Sequence, residues 1–126
     1  MFSHIMLGAD DIEASRVFYD AALGALGIAP GFTDPKGRVW WRTDKGNFAI
    51  SKPIDGGAAS CANGGTIGFS AKSTEEADAF HAAGLAHGGT AIEDPPGLRE
   101  SPFGALHLAY LCDPAGNKIV AMHRVR

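Results

Sequence analysis

Metal ligation or proton transfer in this chain falls to five histidines, two cysteines and fourteen carboxylates. The first to stand out is His4, in the run "FSHIML", an imidazole set between apolar neighbours in a strand-like stretch. Such a group is either a core residue with one good hydrogen bond or the first ligand of a metal. A catalytic Zn²⁺ or Fe²⁺ site needs about three protein ligands, so His4 alone cannot decide the matter. The other histidines do not gather around it. His81 and His87 are six positions apart on a predicted helix, neither i+3 nor i+4, so they do not share a face. On the strand run "ALHLAYLCD", His107 alternates against Leu108 and Tyr110, and on the run "NKIVAMH" His123 alternates against Val120 and Met122. Cys61 and Cys112 have no CxxC spacing and read as small core or loop residues of a reducing cytoplasm.

The elements that must position these groups come as a repeat. Residues 4–27, "HIMLGADDIEASRVFYDAALGALG", align without gaps to residues 66–89, "TIGFSAKSTEEADAFHAAGLAHGG", at an offset of 62 (66 − 4). Each copy begins with a short strand and a helix cap, Asp11 in the first and Ser73 in the second. Glu76 stands three residues after Ser73, a capping box. Phe18, Ala21, Ala22 and Leu26 share one helix face, matched by Phe80, Ala83 and Gly84, and Gly27 and Gly89 are placed to end the helices in a left-handed turn. "GRVWWRTD" and "NFAISKP" then read as strands of the first copy, "ALHLAYLCD" and "NKIVAMH" as strands of the second. Aligning the turns at Gly46 and Gly116 gives an offset of 70 (116 − 46) and pairs Ile50 with Val120. The chain therefore divides into module one, about 1–56, and module two, about 62–126, within a single domain spanning 1–126.

Composition bounds the function classes. Apolar residues make up 45% and charged residues 20%, an ordinary globular balance. No apolar stretch approaches the roughly 20 residues that span a bilayer, the N-terminus does not read as a leader, and a net charge of −3 offers no basic footprint for nucleic acid. The expectation is a cytoplasmic protein with neither membrane nor nucleic-acid partners.

The order and spacing of "DDIEASRVFYDAALGALG", "ADAFHAAGLAHGG", "PPGLR" and "DPAGNKI" resemble the vicinal oxygen chelate superfamily, which holds glyoxalase I, extradiol dioxygenases, fosfomycin-resistance enzymes and bleomycin-resistance proteins. The resemblance covers essentially the whole chain. It implies an α+β fold of paired βαβββ modules, a curved, cleft-bearing mixed sheet with helices outside, and a homodimer. It also implies a divalent metal held by histidines on first strands and Glu or His on last strands. The matching positions here read His4, Ile50, Thr66 and Val120, so His4 is the one surviving ligand position and no metal or other cofactor is expected. A hydrogen bond from His4 to Thr66 would suit a satisfied cleft histidine.

Strand alternation projects His4 and Met6, Phe48 and Ile50, Thr66 and Gly68, Leu108 and Tyr110, and Val120 and Met122 toward one side, a mostly apolar pocket with a few polar handles. Trp40 and Trp41 must face opposite sides, and Trp40 is assigned to the cleft. The stretch "EDPPGLRESPFGALH" reads as a long connection able to cover it, with Arg99 available to clamp a carboxylate. Look-alike sequences carry His and Tyr where this chain has Pro102, Phe103, Gly104 and Ala105. The expected function is metal-independent binding of a small, partly apolar molecule, with His4 and Tyr110 as proton-transfer groups if it is an enzyme. The alternative is a metal-dependent lyase, isomerase or dioxygenase with a rearranged ligand set. A third possibility is an interaction module whose dimer interface is the function.

Overall fold

Both helices start at their expected caps. The Asp11 carboxylate accepts the Ala14 N–H, and the Ser73 hydroxyl accepts the Glu76 N–H. The Glu76 carboxylate reaches one residue further back than a capping box requires, to the Lys72 N–H. In the computed structural model, which describes residues 1–126, module one comprises β1 (His4–Gly8), α1 (Ile12–Gly24), β2 (Phe32–Thr33), β3 (Val39–Thr43) and β4 (Gly46–Ser51). Module two comprises β5 (Ile67–Ser70), α2 (Thr74–Ala86), β6 (Thr90–Ala91), β7 (Gly97–Ser101), β8 (Gly104–Cys112) and β9 (Lys118–Arg124). The class is α+β, with two open mixed sheets. One runs β1-β4-β3-β2; the other runs β5-β9-β8-β6, with β7 also paired to β8. In each sheet the module's first strand lies parallel to its last. No helix is long and apolar enough to cross a membrane.

Two expectations about chain exits and connections change. Gly27 is left-handed as expected, with its N–H donating to Gly24 and that of Ile28 donating to Leu23. In module two the left-handed residue is Gly88, not Gly89. Gly89 is instead a close-approach residue, since a Cβ there would stand 2.6 Å from the Phe18 ring. The stretch expected to cover a cleft is mostly sheet: Gly97–Ser101 pairs antiparallel with Gly104–Leu108 through a tight turn at Pro102 and Phe103. "GLRES" lacks the apolar alternation that marks a half-buried strand, which is why an edge strand was not visible there.

One face of each sheet packs beneath the helices. Aromatic rings run continuously through that core: Phe18 to Tyr19 at 4.9 Å, Tyr19 to Phe48 at 4.7 Å, Phe48 to Phe69 at 5.2 Å and Phe69 to Phe80 at 6.2 Å. The chain of contacts starts on α1, crosses β4 and β5, and ends on α2, so the modules share one core. Phe18 presses into a notch of α2, where a Cβ on Gly84 would fall 3.0 Å from its ring and 2.4 Å from Leu111.

A buried carboxylate closes the junction. Asp113 accepts the Tyr19 hydroxyl at 2.6 Å, the Asn117 side-chain amide at 3.0 Å, and the backbone N–H groups of Ala115 and Asn117. Asn117 in turn donates to the Gly8 carbonyl at the end of β1. Burial, with the carboxylate beside it, pushes the Tyr19 hydroxyl well above its ordinary 10.0, so it stays a donor. "DPAGN" thus ties module two's last hairpin to module one.

Candidate functional site

The register of β1 through β4 sorts their side chains into two faces. His4 pairs with Asn47, Ile5 with Phe48, Met6 with Ala49 and Leu7 with Ile50. Across the hairpin, Trp40 pairs with Ala49, Trp41 with Phe48 and Arg42 with Asn47, while Phe32 pairs with Trp40. Residues directly opposite share a face. The helix-free face of module one therefore carries a polar row, Arg42–Asn47–His4, beside an apolar row, Phe32–Trp40–Ala49–Met6.

Phe48 and Ile50, expected in the cleft, belong to the other face. Ile50 is wholly buried and Phe48 nearly so, packed with Tyr19 and Trp41. The cause is a one-residue slip in the repeat. The β3–β4 turn has two residues between the Thr43 and Gly46 pair, whereas the β8–β9 turn has five between Cys112 and Lys118. Ile5 pairs with Phe48 and Ile67 pairs with Ile119, so the last strands align at an offset of 71 (119 − 48). Ala49, not Ile50, is the counterpart of Val120. A slip of one residue reverses every side chain along a strand.

Module two's helix-free face follows the same order. Tyr110 pairs with Val120 and Val120 with Gly68; Leu108 pairs with Met122 and Met122 with Ser70. Leu108, Tyr110, Val120, Met122 and Gly68 thus share one face, and Arg99, opposite Leu106, joins its edge. The Arg99 guanidinium is spent on the Asp94 and Pro95 carbonyls. Thr66 lies exposed just before β5. His4 is exposed too, and its Nδ1 is bonded to the neighbouring Ser3 hydroxyl at 2.8 Å, not to Thr66. A core histidine is therefore not what His4 is. His4 and Tyr110 stand on separate sheets.

Two side chains missing from the expected set, Arg42 and Asn47, matter most. With Phe32 and Trp40 they line a recess of about 250 Å³ on the open face, and the His4 ring lies 5.8 Å from that of Trp40. Arg42 and Asn47, with His4, also border a broader groove of about 900 Å³. This groove opens at the module junction between the start of β1, the end of α1 and β5, and Phe48 and Gly68 reach it. The alternation that assigned Trp40 to the open face implies Arg42 as well. Asn47 was hidden by the slip.

The Trp40 indole is held in place. Its Nε1–H donates to Asp34 at 3.0 Å, and Arg38 pairs with the same carboxylate at 2.6 Å while lying 5.7 Å over the indole. Burial raises the Asp34 carboxyl, but hydrogen bonds from Trp40, Arg38 and two backbone N–H groups outweigh it and bring it down to about 2. Arg38 is thus neutralised, whereas no carboxylate stands within ion-pair distance of Arg42.

The donor set does not fit the superfamily's divalent metal. The four equivalent positions read His4, Ala49, Thr66 and Val120, which supply one imidazole and one neutral hydroxyl. No group of three or more His, Cys, Asp and Glu side chains is arranged to hold an ion. The remaining histidines are engaged or dispersed: His107 with Asp78 at 2.7 Å, His123 on the Ala71 carbonyl at 3.1 Å, and His87 on that of Ala83 at 2.8 Å. Burial holds His81 below its ordinary range. Burial and the neighbouring Asp113 raise the Cys112 thiol, which favours its protonated form.

Two strand–helix–strand units, each with one helix-covered and one open face, define the class as the vicinal oxygen chelate fold. A glyoxalase/bleomycin resistance protein from Albidiferax ferrireducens T118 is 55% identical, with 98% of this chain matched to 99% of that one at a TM-score of 0.96. By that similarity the chain belongs to the glyoxalase/bleomycin resistance protein family. A glyoxalase-related enzyme from Fulvimarina pelagi shares the fold at 21% identity, covering 98% of this chain and 88% of that one with a TM-score of 0.72. A lactoylglutathione lyase from Agrobacterium tumefaciens does so at 19% identity, 98% and 92% coverage and a TM-score of 0.64. No protein-family model and no curated protein matches the chain.

Proposed function

We propose that this chain is a small-molecule-binding member of its family that works without a metal, taking a compact, partly apolar ligand on the open sheet faces. The observation that carries this reading is the donor set at the four repeat-equivalent positions. One imidazole, one hydroxyl and two aliphatic side chains cannot hold a divalent ion against water. Around that vacated chemistry stands a surface suited to a small organic molecule, with aromatic walls and a few polar groups. His4 is then a binding residue beside Trp40 and no longer a metal ligand. The resemblance further implies a homodimer, for which the exposed Leu98 and Phe103 side chains are suited.

Elemental analysis tests the reading. Untagged protein is exposed to Zn²⁺, Mn²⁺, Ni²⁺ or Fe²⁺, desalted and assayed for metal. The expected content is far below one ion per chain for each. One ion per chain, lost in His4→Ala, would overturn the proposal in favour of a metal-dependent lyase, isomerase or dioxygenase with ligands drawn from elsewhere or from a second subunit.

A further inference from the structure

We propose that the open face of module one is a binding site for a small aromatic monocarboxylate. The ring lies against Phe32 and Trp40, and the carboxylate meets Arg42, with Asn47 and His4 beside it. The inference rests on the metal-free binding reading and names its ligand class.

Three observations lead to it. First, register places a polar row directly beside an apolar row on three adjacent strands, so one small molecule can touch both. Adjacent strands stand about 4.8 Å apart, which makes neighbouring side chains in a row reachable by one functional group. Second, charge on this face is uncompensated at one point. Arg38 is paired with Asp34, but Arg42 has no acid partner, and neither its guanidinium nor the Asn47 side-chain amide hydrogen-bonds within the chain. A guanidinium presents a planar pair of N–H donors that matches a carboxylate in two parallel hydrogen bonds. A dianion such as a phosphate monoester would call for a second free cation, and the recess offers one only. Third, the apolar part is aromatic and fixed. Trp40 is locked by Asp34, so stacking a ring on it costs little side-chain freedom. The recess, about 250 Å³, falls just under the usual ~300–1,000 Å³ range for small-molecule sites and so limits the ligand to about one ring.

Phenylacetate and its uncharged match phenylacetamide are the probes, titrated calorimetrically at low ionic strength in the presence of EDTA. Phenylacetate is expected to bind one per chain, with phenylacetamide at least tenfold weaker. Arg42→Ala, a change at an exposed position whose folding is checked by its melting temperature, should weaken phenylacetate at least tenfold. It should leave phenylacetamide unchanged, and Arg42→Lys should fall between. Equal binding of acid and amide, no binding of phenylacetate, or indifference to Arg42→Ala would each overturn the assignment. Failure of the metal-free reading looks different. It would appear as bound metal by elemental analysis whatever the outcome with these probes, whereas amide binding as tight as that of the acid, without metal, would sink the carboxylate assignment alone.

Discussion

In module one Trp40 lies beside Ala49 and Arg42 beside Asn47; in module two the matching pairs are Tyr110 with Val120 and Cys112 with Lys118. Each face thus sets an aromatic ring next to a small or branched aliphatic residue, with a cation nearby. Their charges are settled differently. Lys118 lies 5.0 Å over the Tyr110 ring and is held in an ion pair by Glu93, whose backbone adopts a left-handed φ of 58°. Arg42 has no such partner. The same scaffold therefore yields one face with its cation satisfied internally and one whose cation awaits a ligand. A repeat conserves geometry more readily than it conserves electrostatics, since one acidic residue on a connecting loop suffices to close a site.

The two hairpin turns differ just as sharply. Asp44 and Lys45 are exposed, whereas Asp113 and Asn117 are buried, and the Asp113 carboxylate gathers donors from α1 and from its own turn, Asn117 among them. The largest effect should come from breaking this difference. Asp113→Ala strands the buried Tyr19 hydroxyl and Asn117 backbone N–H, and takes one acceptor from the Asn117 amide and one from the half-buried Ala115 N–H, at a cost of about 3–5 kcal/mol. Asp44→Ala, at the matching turn, should change stability by no more than about 0.5 kcal/mol. Urea unfolding of the two variants measures the contrast, and equal losses would show that the last hairpin is not the tie between modules.

A smaller effect sharpens the comparison of faces. Glu93→Gln removes the partner of Lys118 at an exposed pair, so stability should shift by less than about 1 kcal/mol. The freed ammonium should give module two's face a weak affinity for phenylacetate that the unaltered chain lacks there. Calorimetry of Glu93→Gln combined with Arg42→Ala isolates this second face. No gain over Arg42→Ala alone would mean that Glu93 does not control it.

Much of this architecture is legible from residue order. Asp11 and Ser73 mark the helix starts because a capping side chain has few alternatives, and the apolar runs of β3, β4, β8 and β9 announce themselves. What escapes is register. Nothing local in "TDKGNF" and "CDPAGNK" distinguishes a two-residue turn from a five-residue one, yet that difference moves Ile50 into the core and brings Asn47 to the open face. The short strands β2 and β6 and the edge strand β7 escape for another reason, because their pairing partners, and not their own composition, make them strands. Thr66 and His4 occupy equivalent repeat positions, but His4 lies on an edge strand of one sheet and Thr66 just before an edge strand of the other, so equivalence does not bring them into contact.

The two faces are told apart most directly by where a ligand registers. Backbone-amide NMR spectra of EDTA-treated protein, titrated with phenylacetate, report both faces at once. The account predicts saturable shifts at His4, Phe32, Trp40, Arg42 and Asn47, with the residues around Tyr110 and Val120 unmoved. Shifts centred on Tyr110, Val120 and Met122 instead, or shifts that appear only when a divalent metal is restored, would contradict it.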